Sequence, residues 1–114
     1  MDCIFCKIAE GTVPSQKVYE DDTVLAFKDI SPQAPVHIIV IPKNHVLESI
    51  AGYDESQHGQ LLAKIFSAIR TVTEQQGLKN GFRIVNNCGS DGAQTVNHLH
   101  FHILGGKKLP ERVC

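Results

Sequence analysis

Apolar residues recur along this chain with two different periods, and the switches between them mark its elements. Ile4, Phe5, Ile8 and Ala9 share one face at helical spacing, so Cys3–Glu10 is predicted as a short helix that Gly11 stops. Val18-Tyr19 and Thr23–Phe27 flank Asp21-Asp22 and predict a hairpin. Asp29–Pro35 is predicted as a loop, because each proline removes a donor and fixes its backbone. Val36–Ile41 is short and rich in β-branched residues, which predicts a buried strand ended by Pro42. Asp54 caps a predicted long helix running to about Gln76. Its stripe is Leu61, Leu62, Ile65, Phe66, Ile69 and Val72, and Gly77 stops it. Phe82–Asn87 and His98–Leu104 are the last two predicted strands, with a Gly-rich turn between them and Gly105-Gly106 at the end. This order predicts an α+β domain: a mainly antiparallel five-stranded sheet with one long and one short helix.

Length and charge narrow the picture. The 114 residues suit one domain, 1–114, with one hydrophobic core. Hydrophobic residues at 42% and charged residues at 20% are ordinary globular values. Eleven basic against twelve acidic residues give a net charge of −1 with no basic stripe, so binding of nucleic acid by bulk electrostatics has no support. The apolar run around Val36–Ile41 is far too short for a membrane span, and the first residues do not read as a secretory signal. The expected compartment is the cytoplasm. There, Cys3, Cys6, Cys88 and Cys114 read as metal ligands or plain thiols rather than disulfides. Cys3-x-x-Cys6 has metal-ligand spacing and redox-pair spacing, although a thioredoxin-type site follows a strand and none is predicted ahead of Cys3.

Half of the six histidines fall in His98-x-His100-x-His102. On a strand these side chains point one way with Leu104, while Leu99, Phe101 and Ile103 point into the core. The apolar set pins the register, so the imidazoles, rooted about 6.6 Å apart, face one small ligand together. Three readings compete. One is simply a polar strand face. Another is a metal site, since two imidazoles at i and i+2 can share an ion, but a catalytic metal also wants a carboxylate nearby and none follows the triplet. The third is covalent catalysis. A neutral imidazole can attack phosphorus if its second nitrogen keeps a proton held by an acceptor, and flanking imidazoles can donate to the phosphate oxygens, so no metal is needed for the chemistry. The preceding stretch Gly89–Thr95 offers flexible N–H groups with amide and hydroxyl donors, as a phosphate-holding loop or as an ordinary connection.

Asn97-His98-Leu99-His100-Phe101-His102-Ile103-Leu104-Gly105-Gly106 resembles the signature of the histidine triad superfamily. Asp29-Ile30-Ser31-Pro32-Gln33-Ala34-Pro35, His37, Ile41-Pro42-Lys43 and Cys3-Ile4-Phe5-Cys6-Lys7-Ile8 resemble its nucleotide-binding Hint branch. The resemblance runs from residue 3 to about 106. It implies a homodimer with a half-barrel sheet per subunit that hydrolyses purine nucleoside 5′-phosphoramidates, and related acyl-adenylates, through a nucleotidyl-histidine intermediate. It implies His100 as nucleophile, His102 at the phosphate, and His98 and His37 in support. Asp29 would accept from the ribose hydroxyls, with Ile30 beside the base. Asn87, Gln94, Thr95 and the backbone at Ala93 would hold the phosphate. Ile4, Phe5, Ile8, Phe27 and Ile39 would line the purine pocket. Bacterial members also imply a structural zinc, here on Cys3, Cys6, His45 and His98. Ala93 stands where the branch usually has glycine. Two other activities fit the same residues: hydrolysis of dinucleoside polyphosphates, and a non-catalytic nucleotide-binding regulatory role.

Overall fold

The computed structural model describes residues 3–112. A first helix, α1 (Ile4–Glu10), precedes strands β1 (Lys17–Glu20), β2 (Val24–Lys28) and β3 (Val36–Pro42). After a single 3₁₀ turn at Ile50–Gly52 come the long helix α2 (Glu55–Gln75) and strands β4 (Arg83–Val85) and β5 (Phe101–Gly105). The five strands form one antiparallel sheet in the order β1-β2-β3-β5-β4.

Local chemistry sets the helix ends. The side chain of Asp54 accepts from the Gln57 N–H at the start of α2, and Cys3 Sγ does the same for the Cys6 N–H at the start of α1. At the other end of α1, Gly11 has φ of 86°, a left-handed conformation that favours glycine, and its N–H returns to the last-turn carbonyls.

Strands β2 and β3 read as unbroken apolar runs because both of their faces are covered. Val24, Ala26, Ile38 and Val40 pack under α2 against Ile65, Ala68, Ile69 and Val72. Leu25, Phe27, Ile39 and Ile41 point to the opposite face and pack with Cys3, Phe5 and Ile8 of the α1 segment. Period-two alternation thus divides one sheet into two apolar layers. Leu99, Phe101 and Ile103 join the α2 layer, which turns the intervening histidines toward α1.

Two strands are shorter than the pattern predicted. Phe82–Asn87 contracts to Arg83–Val85, and His98–Leu104 contracts to Phe101–Gly105. The reason lies on the neighbouring strand. Val40 pairs with Phe101, so the next steps of the register would bring Leu99 opposite Pro42, which has no N–H to give. Residues 98–100 therefore alternate like a strand without belonging to the ladder. Leu99 is tied instead by its N–H to the carbonyl of Leu47, at 2.9 Å.

Leu99 is fully buried, so Leu99→Ala is expected to cost about 2–5 kcal/mol of stability, read as a lower midpoint in urea unfolding. An unchanged midpoint would show that residues 98–100 are not anchored through this side chain.

Candidate active site and metal-ligand cluster

The face of β3 and β5 that lies under α1 carries the imidazoles. Ile39 pairs with His102 and His37 with Leu104, so His37 and His102 stand diagonally on adjacent strands. His100 lies beside His102, their ring centroids 5.2 Å apart. Phe5 of α1 meets both His98 and His100 edge to face, at 5.9 and 5.0 Å. His98 is fully buried and His100 is 5% exposed, so neither ring is held as a charged group in open water.

Hydrogen bonds fix which nitrogen of each ring carries the proton. Burial lowers the pKa of His37, His98 and His100 below the ordinary value, and burial with the neighbouring His100 and His37 brings His102 down to about 4. The rings are neutral near pH 7, with one N–H each. The Nδ1 of His100 lies 2.8 Å from the carbonyl oxygen of His98, which can only accept, so Nδ1 holds the proton and Nε2 keeps its lone pair. On His37 the assignment reverses. The backbone N–H of Gln33 donates to its Nδ1 at 3.0 Å, placing the proton on Nε2. That N–H faces His102 Nδ1 at 2.9 Å and Asp29 Oδ2 at 3.4 Å. His102 accepts on Nδ1 and so carries its own proton on Nε2. A lone pair on one ring and an N–H on its neighbour are the complementary pair that attack on a phosphoryl group requires.

The loop residues divide into those that build the loop and those that face out. Asn87 Nδ2 donates to the Gly92 carbonyl at 2.8 Å. Gln94 is used on both sides of its amide: Oε1 accepts from the Gly89 N–H, and Nε2 donates to the carbonyls of Glu48 and Val96. Thr95 is exposed. At position 92 any Cβ would collide with the carbonyl oxygen of Cys88, which requires glycine. Ala93 has φ of 60°, where a side chain costs roughly 1–2 kcal/mol, the physical reason for a glycine there in the branch it resembles.

The proposed base-lining residues do not behave alike. Phe5, Ile8, Phe27 and Ile39 are buried together, whereas Ile4 is 42% and Ile30 is 96% exposed. Asp29 accepts from the Ser31 N–H through Oδ1, closing a local turn, while Oδ2 faces His37. A cleft of about 510 Å³ opens beside Asp29 and Ile30, and another of about 380 Å³ beside His37 and His102. Asn86, which the pattern did not single out, donates to the His100 carbonyl at 2.9 Å. Nothing in its sequence surroundings distinguishes it from Asn87.

Cys3, Cys6, His45 and His98 converge behind the triplet, with all four donor atoms within 4.8 Å of one another. His98 gives its Nε2 proton to the Pro42 carbonyl at 2.8 Å, which aims the Nδ1 lone pair at Cys3 Sγ (3.3 Å) and Cys6 Sγ (3.6 Å). His45 Nδ1 lies 3.4 Å from Cys6 Sγ, while its Nε2 is buried with no hydrogen-bond partner among the described residues. Ligands on a tetrahedral zinc stand about 3.6 Å apart from sulfur to nitrogen, so the donor set and its spacing fit that ion. Burial, with the adjacent Cys3, pushes the Cys6 thiol up to about 11, and a bound dication would offset this by favouring the thiolate. Asp29, His37 and His102 form a second group of donors within the same span, but there the 2.9 Å between ring nitrogens is a hydrogen bond with its proton accounted for.

A two-layered α+β domain with buried histidines aimed at one face defines a class of protein, and the comparisons name it. Residues 10–109 match the HIT domain family. The chain belongs to that family. It is 46% identical to a 14 kDa zinc-binding protein of Brassica juncea, over 95% of this chain and 96% of the other. It is 45% identical to the adenylylsulfatase HINT1 of Arabidopsis thaliana, over 93% of this chain and 72% of that one. Among solved structures, a histidine triad protein from Clostridium difficile superposes with a TM-score of 0.93 and 52% identity, covering 99% and 97% of the two chains. A HIT family hydrolase from Legionella pneumophila superposes at 0.91 with 41% identity, covering 96% and 97%. Among the described residues no helix is long and apolar enough to cross a membrane.

The depressed histidines give stability a definite pH dependence. Below pH 6.5 the unfolded chain binds protons that the folded rings refuse, down to about pH 4 for His102. Stability is expected to be full above about pH 6.5 and to fall steadily toward pH 4, as measured by urea midpoints across that range. A flat profile would mean that the rings titrate in the folded protein as they do in the unfolded chain.

Proposed function

We propose that this protein hydrolyses purine nucleoside 5′-phosphoramidates to the nucleoside monophosphate and a free amine. One observation carries the reading: His100 holds its proton on Nδ1 against the His98 carbonyl, while His102 beside it holds its proton on Nε2. In the first step His100 Nε2 forms a bond to phosphorus and the P–N bond breaks. The Nε2–H of His102 donates a hydrogen bond to the phosphoryl group, and the leaving nitrogen takes a proton from solvent and departs as the amine. In the second step water attacks the nucleotidyl-histidine and releases a proton to solvent, and the N–P bond breaks to return His100 to its Nδ1–H form and release the monophosphate. Asp29 would receive the ribose and the Gly89–Thr95 loop the phosphate, with Asn87 and Gln94 shaping that loop. The purine would lie against the Phe5, Ile8, Phe27 and Ile39 layer, with Ile4 and Ile30 closing over it.

The family supports hydrolysis at this level, since one relative bears the name adenylylsulfatase and one structural neighbour the name HIT family hydrolase. Zinc on Cys3, Cys6, His45 and His98 would be a structural ion with all four positions filled by protein, supplying rigidity and no open coordination site. The name of the Brassica relative supports that ion. A homodimer also belongs to the proposal. The edge strand β4 is only three residues long, and Phe66, Phe82 and Ile84 expose 47%, 38% and 40% of their surface around it.

His100→Ala is expected to lower turnover of adenosine 5′-phosphoramidate by on the order of 10³-fold or more while adenosine monophosphate still binds in calorimetry. Undiminished turnover would remove His100 as nucleophile. Tight binding with no turnover by the parent protein would make it a regulatory binding module, and preferential cleavage of diadenosine polyphosphate would replace the substrate. Light scattering is expected to give twice the chain mass of 12.5 kDa, and Ile84→Lys is expected to return it to the monomer value.

A further inference from the structure

We propose that Cys3, Cys6 and His45 are positioning residues for the nucleophile, acting through His98 to hold His100 in its reactive tautomer. The inference rests on the reading above, in which His100 attacks phosphorus, and adds a task for the cluster beyond stapling α1 to the sheet.

The argument begins where the ladder ends. β5 starts at Phe101, so the carbonyl of His98 is not fixed by pairing with a neighbouring strand. Yet this oxygen is the acceptor that keeps the His100 proton on Nδ1. Its position depends on three ties: the Leu99 N–H to the Leu47 carbonyl, the His98 Nε2–H to the Pro42 carbonyl, and the His98 Nδ1 to the two sulfurs. The last tie is the one the cluster supplies. Without it a fully buried ring carries an unsatisfied acceptor, a penalty that reorienting the ring or its peptide would relieve. Either movement takes the carbonyl from His100. The His100 proton is then free to reside on Nε2, where it blocks the attacking lone pair.

The same helix closes the arrangement from above. Cys3 and Cys6 lie at the start of α1, and Phe5 between them rests on both the His98 and the His100 rings. His45 reaches Cys6 from the loop after β3 and packs on His98 with ring centroids 4.7 Å apart. A disturbance of any one of the three residues therefore reaches His98 by direct contact.

The test uses full-length protein supplied with Zn²⁺, with His45→Gln and Cys6→Ser as variants. Long-range ¹H–¹⁵N spectra of the imidazoles report the tautomer of His100 directly. Each variant is expected to shift His100 from the Nδ1–H form toward a mixture and to lower kcat by about 10–100-fold. KM and the affinity for adenosine monophosphate are expected to stay within about twofold, with the circular dichroism spectrum retained. Chelation of the parent protein is expected to move the same nitrogen signals, and readdition of Zn²⁺ to restore them. A lower melting temperature with an unmoved tautomer and unchanged kcat would overturn the proposal and leave the cluster as a staple. If Cys6→Ser does not fold, His45→Gln decides, because its side chain comes from a loop. If the parent protein turns over no phosphoramidate, the functional reading fails, and the nitrogen spectra still decide whether the cluster holds the tautomer.

Discussion

The hydrogen bond from His100 Nδ1 to the main-chain oxygen of His98 is the constraint on which the rest of the site depends. An isolated neutral imidazole exchanges its proton between two nitrogens and presents a lone pair on either. A carbonyl oxygen accepts and never donates, so one such bond is enough to choose. The relay from Gln33 through His37 makes the opposite choice for His102. Two chemically identical side chains, two residues apart, are thereby given complementary roles by the backbone groups that face them.

This arrangement requires dryness. Burial holds the rings neutral near pH 7, and neutrality is what gives each of them a lone pair. The dryness comes from α1, a helix of only seven residues. A helix of that length has little stability of its own, so its place depends on the packing of Phe5 and Ile8 and on what joins Cys3 and Cys6 to His45 and His98. The apolar layer under α1 and the sulfur–nitrogen cluster thus act on one element, and that element covers the reactive rings.

Much of this was legible in the order of residues. The helical stripe of α2, the caps at Asp54 and Gly11 and the continuous apolar run of β3 each follow from a local rule, and each element stands where the rule put it. Alternation in the triplet correctly separated Leu99, Phe101 and Ile103 from the histidines, because that separation needs only extended backbone and a core on one side. Alternation did not reveal that strand pairing stops at Phe101, since the cause, Pro42 on the facing strand, is distant in sequence and adjacent only in register.

The sequence by itself determined the chemical inventory and its grouping: three imidazoles at alternate positions, a Cys-x-x-Cys near the start, a loop too rich in small residues to be helix. Those are properties of types and spacings, which a chain carries unfolded. Only the tertiary structure decided the state of each group. Which nitrogen bears a proton depends on a carbonyl or an N–H at hydrogen-bonding distance, and those partners are brought in by folding. His98, alike in sequence to its two neighbours, was assigned to the sulfurs instead of the open face because its ring meets Pro42 on one side and α1 on the other. Proton positions are set by contacts across space, and spacing along the chain does not encode them.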